Sequence, residues 1–227
     1  MFRQLPNFLT CCNLLCGCIG IVFLLEGRGV PAAYFVWASC VFDFFDGFAA
    51  RLLKVSSPIG KELDSLADMV SFGALPSVVM FQYLSQQGES FFLAAMAFLI
   101  AIFSALRLAK FNIDENQKDS FIGLPTPANA LFLTSLIFLP ESVKHFIFQT
   151  PVLVVIIILF SLLLVAPLEL FALKFKKFNW SDNRIRFTFL ALSVLLLLIW
   201  RAGALPVIIL MYVIISLTNR VLKGSTN

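Results

Sequence analysis

The chain has 227 residues, 60% of them hydrophobic and only 13% charged, with a formal net charge of +4 and a mean hydropathy of +0.94. A soluble domain carries about 45–50% apolar and about 25% charged residues, and a chain this short cannot enclose so much apolar surface in one aqueous core. A soluble enzyme and a disordered chain are excluded, and a polytopic membrane protein remains.

Only helices and closed barrels satisfy their backbone polar groups in lipid. A barrel needs short alternating segments. Here the apolar runs are long and continuous, as over 152–165 and 190–200. The expected fold is therefore all-α, with about eight transmembrane helices near 8–25, 31–53, 62–84, 91–112, 125–140, 148–170, 187–201 and 204–221.

The first apolar run follows Arg3 and mimics a signal peptide, but no small-residue cleavage site follows. It is read as a retained first helix. Cys11, Cys12, Cys16, Cys18 and Cys40 all lie in apolar runs. Cys12 and Cys16 share a helix face, but the expected role of all five is small-residue packing. The fifth span is short and bounded by Pro125, Pro127 and Pro140. The only histidine, His145, falls in an outer loop, which argues against His-based metal sites and triads. The stretch 174–186 is the longest polar one. It marks the expected boundary between a six-helix core, 1–170, and a two-helix extension, 171–227. Trp37, Trp180 and Trp200 sit near span ends as interface anchors, and Glu169 lies at the interface beside Pro167.

Of the 17 Lys and Arg residues, all but Arg28, Lys144 and Arg201 fall on the side that holds both termini. The positive-inside rule makes that side cytosolic. The same basic side faces anionic lipid headgroups. No basic helix stands free of the bilayer, so nucleic acid is not an expected partner.

The chemistry lies in four aspartates inside spans that should be apolar. Intramembrane carboxylates are costly and mark sites. Asp43 and Asp46 are spaced i,i+3 near the cytosolic end of the second span. Asp64 and Asp68 are spaced i,i+4 near the cytosolic start of the third. Each pair shares a helix face. The link through Ser57-Pro58 is short, so the helices are antiparallel neighbours and the four carboxylates converge. They need counter-charge, and hard divalent cations such as Mg²⁺ or Mn²⁺ suit an all-oxygen set. Two such ions would form a clamp for phosphoryl displacement. Gly47, Ala50 and Gly60 leave room beside them.

Residues 43–68 read Asp43-x2-Asp46-Gly47-x2-Ala50-Arg51-x8-Gly60-x3-Asp64-x3-Asp68. This resembles the full signature of the CDP-alcohol phosphatidyltransferase family, without departure. Two further segments resemble the family's branch of membrane-type phosphatidylserine synthases. They are Pro6-Asn7-x2-Thr10-x2-Asn13-Leu14-x2-Gly17, and Arg107 to Asn112 followed by Phe121 to Ala128. Lys110 stands where many relatives carry Arg, which keeps the charge but loses the planar fork.

The resemblance implies transfer of a phosphatidyl group from CDP-diacylglycerol to the hydroxyl of L-serine, with release of CMP. It implies that Asp43, Asp46 and Asp64 hold one ion and that Asp43, Asp64 and Asp68 hold the other. Asp68 is the implied general base. Gly47, Ala50, Arg51 and Gly60 contact the CDP moiety, with Thr10 and Asn13 bordering the nucleotide. Arg107, Lys110 and Asn112 are the candidate serine contacts, although cations at a cytosolic helix end also satisfy topology alone. A homodimer in a prokaryotic plasma membrane, with its active site facing the cytosol, is a further implication. Two alternatives stay open. One is the same chemistry on glycerol 3-phosphate or inositol phosphate, for which a denser basic pocket is expected. The other is an ion-coupled transporter, which predicts midplane sites in repeated halves. The phospholipase-D-like type of serine transferase needs two H-x-K motifs and is excluded by the single histidine.

Overall fold

A computed structural model describes residues 2–113, 121–170 and 180–224. Lys118, Lys174, Lys176 and Lys177 of the charge argument lie outside the described residues, as does the first half of the polar stretch 174–186. So do the side chains of Glu169 and Trp180.

Helices α1 (Leu5–Leu25) and α2 (Gly29–Leu53) form the most extensive helix pair. The buried residues of α1 are Pro6, Thr10, Asn13, Gly17, Gly20 and Leu24, one every three or four positions. The large apolar Phe8, Leu15 and Val22 point outward. This pattern inverts that of a soluble helix. Lipid tails are as apolar as leucine, so helices associate through small residues and polar contacts instead.

The next span is continuous from Pro58 to Gln86. It comprises α3 (Pro58–Asp68), a π-helical segment (Met69–Ala74) and α4 (Leu75–Gln86). Ser57 caps α3, accepting from the Gly60 N–H at 3.0 Å, with Pro58 at the first helical position. The helix thus starts four residues earlier than hydropathy alone suggests. Pro76 explains the π segment. Its ring excludes an ordinary turn against the Phe72 carbonyl, and a wider turn makes space. In its most apolar window this span is 56% buried, against 28% for α1, so it is the central pillar. Its close neighbours are admitted by glycines. A Cβ on Gly17 would stand 2.5 Å from Ser71 Oγ, and one on Gly20 2.6 Å from a Leu75 methyl.

The fourth span combines α5 (Phe91–Ala95), a 3-10 turn and α6 (Leu99–Ile113). A two-residue strand β1 (Phe121–Ile122) leads into α7 (Thr126–Ser135), which a 3-10 turn extends to Phe138. Then come α8 (Glu141–Ile147) and α9 (Thr150–Val165), bent by 78° against each other. The span expected over 148–170 is α9, ending at Val165, and α8, which carries His145 in the expected outer loop, turns away ahead of it. Strand β2 (Glu169–Leu170) pairs antiparallel with β1. Gly123 has φ +78, and a Cβ there would fall 2.2 Å from the Leu164 carbonyl oxygen. Its N–H donates to the Leu168 carbonyl at 2.9 Å, and that of Leu124 to Leu163 at 2.8 Å. The β1–α7 junction is thereby tied to the end of α9.

Helices α10 (Trp180–Trp200) and α11 (Ala204–Gly224) close the chain. They turn at Arg201–Gly203, where Arg201 has φ 50, and fold back so that the rings of Phe189 and Tyr212 meet with centroids 6.0 Å apart. Helix α10 is kinked at Asn183, whose backbone is not helical, while α11 has 21 residues, or about 31 Å of helix. Helix α10 begins seven residues before the expected 187, since a hydropathy window does not register its polar first turns. Leu198 and Ile199 are 76% and 62% exposed, as suits a lipid-facing surface. The protein is an all-α polytopic membrane protein. Counting Asn183–Thr218 as one stretch, five of its described helical stretches are long and apolar enough to cross, or six with the bent pair.

Candidate active site

The link between α2 and α3 spans only four residues, 54–57. Lys54 ends α2 in the left-handed conformation, φ 52, and the chain turns straight into the Ser57 cap. The two helices therefore present their aspartates to one another. An oxygen of each of Asp43, Asp64 and Asp68 lies within 4.8 Å of the other two. Ligands on opposite sides of a bound Mg²⁺ stand about 4.2 Å apart, so this trio is near coordinating geometry. Asp46 is held slightly apart: its Oδ2 accepts from Thr10 Oγ1 at 2.7 Å. All four carboxylates repel one another electrostatically.

Helix α1 orients the acids. Asn13 is fully buried, and its Nδ2 donates to Asp68 Oδ1 at 3.1 Å. Its own carbonyl accepts from Ser71 Oγ at 2.9 Å and Ser39 Oγ at 3.2 Å. Three helices and the π segment are thus joined at one asparagine. Ser39 and Ser71 escaped the sequence reading. The available signal was a pair of serines inside apolar spans, where a hydroxyl needs a partner.

Among the described residues no ion pair involves any of the four aspartates; the two present are Arg28–Glu26 and Lys144–Glu141. Asp64 Oδ1 is buried without a hydrogen-bond partner. Clustered carboxylates without counter-charge are expensive. An all-oxygen donor set with an orphaned lone pair fits a hard divalent metal ion.

Beside the cluster opens a cavity of about 720 Å³, within the range of small-molecule sites. Thr10, Asp46, Gly47, Ala50, Gly60 and Asp64 line it, with Arg3, Lys54 and Lys61 also on its wall. Acids and cations therefore share one cavity, a suitable environment for a phosphorylated ligand with a bound metal. A Cβ on Gly47 would meet nothing within 4 Å, so this glycine keeps space open and serves no packing. Gly60 differs. Its Cβ would press at 3.0 Å on Asn7 Oδ1 and Ser57 Oγ.

Not every expected contact falls on this wall. Arg51 is exposed and absent from the lining, and Asn13 acts from behind through Asp68. Of the expected serine contacts, Arg107 is buried and donates from Nη1 to Thr126 Oγ1 at 3.3 Å. It lies within electrostatic reach of Asp68. Lys110 is exposed. Asn112 clasps α6 to α3: its Nδ2 donates to Ser65 Oγ at 2.9 Å, and its carbonyl accepts from Lys61 Nζ at 2.6 Å.

The sequence profile of the CDP-alcohol phosphatidyltransferases matches residues 3–160. The chain belongs to that family. The matched segment contains all four aspartates and all the cavity-lining residues, so it coincides with the site just described. The chain is also similar to proteins named CDP-diacylglycerol–serine O-phosphatidyltransferase. That of Helicobacter pylori strain J99 is 38% identical over 144 residues, 63% of this chain and 60% of the relative. That of Bacillus subtilis strain 168 is 37% identical over 136 residues, 60% of this chain and 76% of the relative. An archaeal relative from Methanocaldococcus jannaschii is 36% identical over 129 residues, 57% of this chain and 58% of the relative. The chain thus spans about three fifths of the Helicobacter relative's length.

Proposed function

We propose that the protein transfers the phosphatidyl group of CDP-diacylglycerol to the hydroxyl of L-serine, forming phosphatidylserine and CMP. The observation that carries this reading is the Asp43–Asp64–Asp68 cluster standing beside a cavity lined by Thr10, Gly47, Ala50 and Gly60. The names of the similar proteins support serine as the acceptor.

In this reading residues 1–170 form the catalytic core and 171–227 the extension. The nucleotide occupies the 720 Å³ cavity, with the acyl chains in lipid. Gly47, Ala50 and Gly60 admit it, and Thr10 borders it. Arg51 reaches it from outside the wall. Asp43, Asp46, Asp64 and Asp68 hold two Mg²⁺ or Mn²⁺ ions, which when bound supply positive charge for the diphosphate and the departing CMP.

The serine hydroxyl oxygen attacks the phosphorus that carries the diacylglycerol. The bond from that phosphorus to the bridging oxygen breaks, and the oxygen leaves with CMP. Asp68 accepts the hydroxyl proton as general base. Asn13, donating to Oδ1, leaves Oδ2 for that proton and fixes the carboxylate's direction. Arg107 holds the serine carboxylate through a guanidinium fork, with Lys110 and Asn112 near the mouth. The active site faces the cytosol of a prokaryotic plasma membrane, both termini lie on that side, and the enzyme is a homodimer.

The test is CMP release from CDP-diacylglycerol by purified protein in mixed micelles, with Mg²⁺ or Mn²⁺. Serine, glycerol 3-phosphate and inositol phosphate are supplied separately, and Asp68→Asn is the control. Serine-dependent release that vanishes in the variant is the expected result. Release with a phosphorylated acceptor instead would retain the reaction class and discard serine. Metal-independent behaviour with every acceptor would discard the reaction itself.

A further inference from the structure

A second set of buried polar atoms without partners lies on α6 and α7, away from the nucleotide cavity. Arg107 is 9% exposed, and its Nε has no hydrogen-bond partner. Its Nη1 reaches only the neutral Thr126 hydroxyl, at 3.3 Å. One turn beyond Thr126 on α7, Asn129 is fully buried, and neither Nδ2 nor Oδ1 is paired. A buried guanidinium with no ion pair among the described residues and a buried amide without any partner there are both expensive. Residues at i and i+3 share a helix face, so both costs fall in one corner of the fold. Each such group calls for an explanation, and a bound ligand that pairs with all of them is one that serves both at once.

Helix α11 closes this corner. It packs on α7 and β2. Its Tyr212 lies within electrostatic reach of Arg107, and the ring is braced by Phe189 of α10, 6.0 Å away. Both residues lie beyond the 3–160 segment that the family shares. The extension therefore supplies a group beside the core's most buried cation.

We propose that α11 forms one wall of the acceptor site, with Tyr212 positioning Arg107 and Asn129 binding the acceptor directly. This rests on the phosphatidyl-transfer reading above. The acceptor class that fits is a zwitterionic amino acid. A carboxylate matches the guanidinium fork. An amide offers both a donor for that carboxylate and an acceptor for an ammonium group. In this arrangement the Tyr212 hydroxyl would accept an N–H of the guanidinium and hold the fork in one orientation.

The experiment uses the full chain and follows CMP release against serine concentration at saturating CDP-diacylglycerol, for Tyr212→Phe and Asn129→Leu. Losing one hydrogen bond to a charged group is worth about tenfold. The expected result is an about tenfold rise in the KM for serine in each variant, with the larger share of the effect in that KM and the KM for CDP-diacylglycerol unmoved. Asn129→Leu keeps the volume and removes an unpaired amide, so its melting temperature should hold or rise. A structural role would instead lower melting temperature and shift both KM values together. That result, or unchanged serine kinetics in both variants, overturns the proposal. If the wild type prefers a phosphorylated acceptor, the same variants are titrated with it. A selective KM rise would then retain the α11 wall while discarding serine, and no rise would overturn it. A wild type that transfers to no acceptor overturns both readings.

Discussion

The acidic corner between α2 and α3 and the basic corner between α6 and α7 bear opposite charge and were built in different ways. The first is local. Two helices joined by residues 54–57 bring four carboxylates together, and α1 supplies Thr10 and Asn13 to orient two of them. The second is non-local. Arg107 meets Thr126 across a junction where β1, β2 and Gly123 tie α7 to the end of α9, and Tyr212 arrives from the far end of the chain. The acidic corner gathers like charges that suit a metal ion, and the basic corner holds a buried cation with no ion pair among the described residues. A reaction between an anionic nucleotide lipid and an amino acid requires one of each.

The largest expected effect tests the acidic corner. Asp43→Asn or Asp64→Asn should lower CMP release by at least about a thousandfold, because metal charge contributes several kcal/mol to the displacement. Both variants should hold or gain thermal stability, since each removes one of several mutually repelling carboxylates. A melting temperature that fell along with activity would make the cluster structural.

The opposite pattern is expected in the basic corner. Arg107→Lys retains charge but loses the planar fork. It should reduce kcat/KM for serine by about a hundredfold while leaving the KM for CDP-diacylglycerol alone. Equal losses toward both substrates would mean that Arg107 serves the nucleotide, and the distinction between the corners would fall.

A substitution at the tie between them comes next. Gly123→Ala places a Cβ in the left-handed region, 2.2 Å from the Leu164 carbonyl. It should cost about 2 kcal/mol or more of stability, read as a lower melting temperature, and weaken serine binding before nucleotide binding. The smallest effect is expected at Gly47, where a Cβ meets nothing. Gly47→Ala should stabilise the helix by about 0.5–1 kcal/mol yet raise the KM for CDP-diacylglycerol severalfold. Gain of stability with loss of affinity separates a glycine kept for a ligand from one kept for packing.

Some of this was legible in the sequence because it depends on short-range periodicity. Asp43 and Asp46, like Asp64 and Asp68, are set by helical spacing on either side of a turn that Ser57-Pro58 announces. The retained first helix and its stripe from Pro6 to Gly17 follow the same rule. The short helix α8 ahead of the span expected over 148–170 was not legible. Hydropathy records length in apolar residues, whereas the 78° bend depends on what each half packs against. Arg51 and Lys110 show the same limit from the other side. Their spacing matched a pattern, but whether a long side chain enters a cavity depends on rotation of the helix about its axis.

By itself the sequence determined the membrane class, the helical architecture and the convergence of four carboxylates, because burial cost in lipid and a 3.6-residue repeat act on neighbouring residues. Tertiary structure alone decided that Asn13 joins three helices, that Gly47 opens onto space while Gly60 does not, and that α11 packs on α7, the helix that carries Thr126 and Asn129. Those facts rest on contacts between residues tens of positions apart, and no local energy term relates them until the helices have packed.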